Sequence, residues 1–239
     1  MTPPLVLAQP DEPSWGYAEI FLGLAVFLVA IGGSVTFATH VLHAPSESGL
    51  WGVVEEVVAY GILLLALKFL FARHGQKLFD ALGWSKPGPF SMRSLITVGL
   101  TLSLTGVILQ YVLRTPEVET PFEKMLADPA SRIAIAVMGV TVGPVIEEML
   151  FRGFLQPVLV ASAGVLPGIL ITSLIFGALH MNQNANLWQS GVVIMLVGFV
   201  LGIVRHVSGS TRASTVVHIA YNALPMVVLL LQGAINPNK

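Results

Sequence analysis

The sequence predicts an all-α fold, a polytopic membrane helix bundle of about seven transmembrane helices, on three observations. Hydrophobic residues make up 54% of the 239 positions and charged residues only 10%. The mean hydropathy of +0.80 lies far above that of a soluble globular domain. The apolar residues also gather into runs near the ~20 residues that one bilayer crossing needs. A net charge of −1 leaves no basic patch, which argues against nucleic acid as a partner. The chain has no cysteine, so disulfides, thiol nucleophiles and Cys-ligated zinc or iron–sulfur sites are excluded.

In chain order, residues 1–18 carry Pro, Asp and Glu without a basic region. They read as a disordered N-terminal tail rather than a signal peptide. Spanning runs follow at Glu19 to Thr39, Leu50 to Phe71 and Ser94 to Leu113, and then at Arg132 to Val160, Val165 to Met181, Leu187 to Val204 and Ser214 to Leu231. Residues 19–130 form an N-terminal group of membrane helices, residues 131–232 a C-terminal helical core and residues 233–239 a C-terminal tail. Between 73 and 90, Leu78, Phe79, Leu82 and Trp84 alternate with basic residues, as in a helix lying at the membrane interface, and Pro87 and Pro89 would end it. Arg73, Lys77, Lys86 and Arg93 in that loop, with Arg205 and Arg212 in the last one, place both loops on the cytoplasmic side. Glu55 and Glu56 in the second run have no basic residue three or four positions on, and so close to Trp51 they read as structural residues near a membrane surface. Gly198 and Gly202 are a small-xxx-small pair suited to close helix packing.

The chemistry gathers around Gly143 to Gly153, where two adjacent carboxylates and an arginine interrupt an apolar run. A charge near a bilayer centre costs from about 3 to over 10 kcal/mol, so such residues face a cavity or a partner. Glu148 and Arg152 are i and i+4 on one helix face in the favourable order, while Glu147 lies about 100° round the helix and stays available for chemistry. His180 ends a helical run four positions after Phe176, and His218 and Asn222 repeat the i, i+4 spacing inside the last apolar run, where no water satisfies them. By helix rise, Glu147 and His180 can lie level, about 20 Å and about 22 Å from their helix ends. His218 lies only about 9 Å from Arg212, so its convergence needs a tilted, late-starting or broken helix. Gly143-Pro144 is one place for a bend. Were these four to meet, a carboxylate and a histidine could hold and deprotonate a water while a histidine and an amide donated to an oxyanion, a kit for amide hydrolysis. Glu147, His180 and His218 are also the ligand set of some zinc sites, although HExxH is absent.

EEMLFRG at 147–153, FGALH at 176–180 and HIAYN at 218–222 resemble, in order and spacing, the EExxxR, FxxxH and HxxxN motifs of the CPBP family. These are the CAAX-protease and bacteriocin-processing membrane proteins, also called the Abi family. The resemblance covers Arg132 to Leu231. It implies an intramembrane endopeptidase, often labelled a metalloprotease, acting on a peptide or membrane-associated protein from within the bilayer of a bacterial inner membrane. It implies further that Glu147 and His180 activate water, that His218 and Asn222 form the oxyanion site, and that Glu148, Arg152 and Phe176 support them. A metal-free glutamate mechanism and a Zn2+ site both stand as readings. The alternative function is a non-catalytic membrane scaffold or bacteriocin self-immunity protein of the same fold. A transporter would relay protons through the same residues, but no repeated half supports it.

Overall fold

The computed structural model describes residues 13–45, 48–85, 88 and 90–235, and among them no strand occurs. The helices are α1 (Tyr17–His40), α2 (Gly49–Arg73), α3 (Leu78–Ala81), α4 (Met92–Val112), α5 (Pro121–Lys124), α6 (Pro129–Val140), α7 (Val142–Glu148), a π-helical segment (Met149–Leu155), α8 (Gln156–Ala163), α9 (Val165–Leu179), α10 (Trp188–Ser208) and α11 (Thr211–Ile235). By length and composition, five stretches can cross a membrane: Tyr17–His40, Met92–Val112, the continuous Pro129–Ala163, Trp188–Ser208 and Thr211–Leu231. The chain is therefore a polytopic, integral membrane helix bundle. The other two expected spans are also helices. The second, α2, has 25 residues and carries Glu55, Glu56 and Lys68. The shorter α9 has 15 residues, a rod of about 22 Å.

The run from Pro129 to Ala163 is the axis of the core, and its irregularities follow from its prolines. Pro144 has no N–H and its ring collides with the preceding turn, so an α-helix cannot pass through it undisturbed. The break falls at Thr141, with φ −131° and ψ −93°. The last carbonyls of α6 are then without helical partners. Three find substitutes: Val137 accepts from Thr141 Oγ1 at 2.5 Å, Met138 from the Thr141 N–H at 3.2 Å, and Gly139 from Asn222 Nδ2 at 2.8 Å. Pro157 acts similarly further on, since it cannot donate to the carbonyl of Gly153. The preceding turn widens into the π-helix, in which the Gln156 N–H reaches back five residues to Phe151. At the N-terminal end, Asp128 caps α6 through the Ser131 N–H and hydroxyl. Those hydrogen bonds hold its carboxyl below the ordinary value.

Around this axis α1 packs on α2, α2 and α11 pack on α6, α9 packs on α8 and α10, and α4 packs on α11. Two features of the N-terminal half depart from the sequence reading. Residues 1–12 of the expected tail lie outside the described residues, but Trp15 is buried, stacked on Phe154 and edge-on to Phe71, with its Nε1 donating to the carbonyl of Phe154 at 3.0 Å. The expected interfacial helix over 73–90 is a single turn, α3, followed by Leu82 with no exposed surface. Gly83, at φ +67°, turns the chain back at that point. Gly153 of the π-helix lets the Leu82 backbone approach too closely for any side chain there. Lys86, Pro87 and Pro89 lie outside the described residues.

Candidate active site

The inward-folded loop explains how His218 reaches the site. Thr211, the first residue of α11, is completely buried; its N–H donates to Gly83 and its hydroxyl to Leu82 at 2.6 Å. Ser210 Oγ donates to the Ser85 carbonyl at 2.6 Å, and Ser85 Oγ donates back to Gly209. The N-terminus of α11 is thus satisfied by protein rather than by water. The helix starts inside the bundle, and a residue two turns along it lies deep. α11 begins at Thr211, ahead of the expected Ser214, so it is not late-starting, and the break lies at Thr141 in the facing span.

Glu147, His180 and His218 converge. Glu147 Oε2 is 3.9 Å from Nε2 of His180 and 3.9 Å from Nε2 of His218. The three are not equally open: the side chains of Glu147 and His180 are 21% and 24% exposed, that of His218 only 5%. Each ring is held at its other nitrogen. His180 Nδ1 lies 2.7 Å from the Phe176 carbonyl, and His218 Nδ1 lies 3.0 Å from Glu148 Oε1. A carbonyl and a carboxylate only accept, so each Nδ1 carries the proton. In its neutral form each ring turns an Nε2 lone pair toward Glu147. Two acceptors 3.9 Å apart are too far for a direct bond but fit one water donating a hydrogen to each over about 2.8 Å.

The pair expected from the i, i+4 spacing is present and fully buried: Arg152 Nη1 is 3.0 Å from Glu148 Oε1. Arg152 Nη2 also donates to the Gly198 carbonyl at 2.9 Å, and one turn on Gln156 Nε2 donates to Gly202 at 3.1 Å. Gly198 and Gly202 therefore do more than let helices approach: they expose the carbonyls to which the π-helical segment is tied. Phe176, 2% exposed, is the shared wall. Its ring lies 4.6 Å from the Arg152 guanidinium carbon, 4.5 Å from the His180 ring and 5.9 Å from the His218 ring. Such contacts fix the planes of both imidazoles.

Asn222 is half-buried and spends one amide N–H on Gly139. It ties α11 to the broken end of α6 and keeps one N–H for another acceptor. Glu56, read from sequence as a structural residue near a surface, is hydrogen-bonded at 2.7 Å by the Tyr60 hydroxyl. The signal in the sequence is the hydroxyl of Tyr60, four residues after Glu56, a partner of the same reach as a base.

The donor set of two imidazoles and a carboxylate is chemically suited to zinc, and both Nδ1 contacts are of the kind that orient metal ligands. The spacing does not fit. Ligand bonds of about 2.0–2.1 Å across the observed gaps would open the angles at the metal to about 140°, far from tetrahedral. Among the described residues no group of three or more His, Asp or Glu is arranged to hold a metal ion.

A carboxylate–imidazole cluster between membrane helices defines the class, a membrane protein with acid–base groups gathered inside its helix bundle. Residues 129–224 match the family model described as Type II CAAX prenyl endopeptidase Rce1-like. The matched segment spans α6 to the middle of α11 and contains all three motifs. No curated protein and no solved structure matches the chain.

Proposed function

We propose that the chain is an intramembrane endopeptidase that hydrolyses a peptide bond in a peptide or membrane-associated protein, using water activated by Glu147 and His180. The observation that carries this reading is the position of Glu147 Oε2, level with two imidazole Nε2 atoms at 3.9 Å. A water there donates one hydrogen to Glu147 and the other to His180 Nε2. As its oxygen attacks the scissile carbonyl, its proton passes to Glu147, which then delivers it to the leaving amine. His218 donates to the oxyanion only with a second proton on Nε2, since its Nδ1 proton is committed to Glu148. That form also makes the cluster of Glu147, Glu148, Arg152 and His218 neutral. The free N–H of Asn222 is the second donor in this scheme. The geometry supports a route without a metal. The family model points to a substrate ending in a prenylated CAAX sequence, and residence in a bacterial inner membrane rests on the motif resemblance.

The test is cleavage of an internally quenched peptide ending in a farnesylated CAAX sequence by the purified chain. General acid–base groups contribute about 100- to 10,000-fold, so Glu147→Gln and His180→Ala should each lose at least about 100-fold. Both side chains are partly exposed, so both variants should remain folded. Activity within a few-fold of wild type in either variant contradicts the assignment.

A further inference from the structure

We propose that Asn184, in the turn that follows α9, is a positioning residue of the same site that holds His180 in place through its backbone carbonyl. The inference rests on the hydrolytic reading above and adds a residue that none of the three motifs contains. His180 lies one position past the end of α9, at φ −89° and ψ −5°. The chain tightens there: the His180 N–H bonds to the Gly177 carbonyl at 3.2 Å and the Met181 N–H to the Ala178 carbonyl at 3.2 Å, each three residues back. An α-helical turn would have given the His180 N–H to the Phe176 carbonyl. The tightening leaves that carbonyl to His180 Nδ1 at 2.7 Å, so the backbone of this one turn sets the direction of the ring. The carbonyl of His180 has no helical donor, because α9 does not continue. Asn184 supplies one: its Nδ2 donates to that carbonyl at 2.9 Å.

The turn that carries Asn184 is closed tightly around it. Asn182–Asn184 form a single 3₁₀ turn. The N–H groups of Asn184 and Asn186 both bond to the Met181 carbonyl, at 3.0 and 2.8 Å, and the Leu187 N–H returns to the Asn184 carbonyl at 3.0 Å. This closure puts Ala185 at φ +53° and Asn186 at φ +57°, a left-handed conformation that is costly for a residue with a Cβ. Such strain persists only where the surroundings over-determine it. On one side α5 packs against the 3₁₀ turn. On the other, α9 lies so close to α10 that a side chain at Gly177 would meet the Gly191 carbonyl at 3.0 Å. His180 thus has its ring tied to Phe176 and its carbonyl tied to Asn184, and its Nε2 stays 3.9 Å from Glu147 Oε2. Without the amide, a residue at a helix end is free to fray. The Nε2 lone pair that takes a hydrogen of the attacking water would move with it. The reaction needs that alignment at the transition state and substrate binding does not, so loss of the Asn184 donor falls on kcat rather than on KM.

Asn184→Ala and Asn184→Asp separate this role from a structural one. Aspartate keeps the shape of the side chain, but an ionised carboxylate only accepts and cannot donate to the His180 carbonyl. With the full-length protein in proteoliposomes and the quenched farnesylated peptide as probe, each should lower kcat by about 10- to 100-fold, the cost of a small misplacement of a reacting group. KM should stay near wild type. Asn184→Gln, which keeps an amide donor on a longer arm, should recover part of kcat. Asn182→Ala, exposed in the same turn, should leave kcat near wild type. An unchanged kcat in Asn184→Ala overturns the role. So does a loss matched by Asn182→Ala, or one that follows a lowered melting temperature with no recovery in Asn184→Gln. Inactive Glu147→Gln beside fully active Asn184→Ala overturns this inference alone. Fully active Glu147→Gln overturns the proposed reaction and this inference with it.

Discussion

In α1 the buried residues are Gly23, Ala30 and Ala38, and in α4 Leu95, Gly99, Ser103 and Gly106. From Ser131 to His218 the buried set includes Arg132, Glu148, Arg152, Gln156, Thr172, Ser173, Gln189, Thr211, Ser214 and His218. Both regions lie in helices apolar enough for the bilayer, so hydropathy alone does not separate them. What separates them is where the polar groups point. The early helices turn large apolar side chains such as Phe21 and Val29 outward and pack through small residues, the usual solution when lipid is the solvent. The later helices enclose polar groups and satisfy them from neighbouring chain: Arg152 from Gly198, Gln156 from Gly202, Thr211 from Leu82, Asn222 from Gly139. A segment that encloses so many costly groups is organised around something other than stability.

Substitutions sharpen this contrast, and the largest effect on stability is expected at the centre of the polar region. Arg152→Ala leaves Glu148 buried without its cation, and breaking one side of a buried pair typically costs about 3–5 kcal/mol. A melting temperature in detergent that stays at the wild-type value would contradict the buried pair. Asn222→Ala comes next. It leaves the Gly139 carbonyl unpartnered at the break in the α6–α7 span, which should cost about 1–3 kcal/mol, and it should slow turnover by about 100- to 1000-fold if the remaining N–H is an oxyanion donor. Turnover lowered no more than stability explains would reduce Asn222 to a helix tie. Trp15→Phe keeps the aromatic stack and removes one hydrogen bond, so about 0.5–1.5 kcal/mol is expected from denaturation. A larger loss would show that the indole holds the π-helical turn in place. Val29→Ala on α1, with the side chain 75% exposed, should change stability by less than about 0.5 kcal/mol. A greater change would mean that the outer face of α1 packs against protein.

Much of this was legible in the sequence because it depends on short spacings. Glu148 and Arg152 pair as i, i+4 positions must, and helix rise alone let Glu147 and His180 lie level. The bend near Gly143-Pro144 was visible, although the break itself falls at Thr141, next to the Val140 carbonyl that the proline leaves without its helical donor. Contacts between distant segments were not legible. Nothing near His218 in sequence shows that α11 begins in the interior, because that depends on Leu82 and Gly83, about 130 residues earlier. Trp15 read as tail for the same reason, since its partner, the Phe154 carbonyl, exists only once the π-helical turn has formed. Asn222 read as an oxyanion donor alone, because the open carbonyl of Gly139 is a product of the distant break.

The central claim is that Glu147 and His180 hold a water directly, without a metal, and metal content and turnover measured on one purified sample test it. Active protein should contain well under one metal ion per chain, and prolonged chelation should leave its cleavage of the quenched farnesylated peptide unchanged. One metal per chain in active protein, lost together with activity in His218→Ala and after chelation, would contradict the claim and make His218 a ligand.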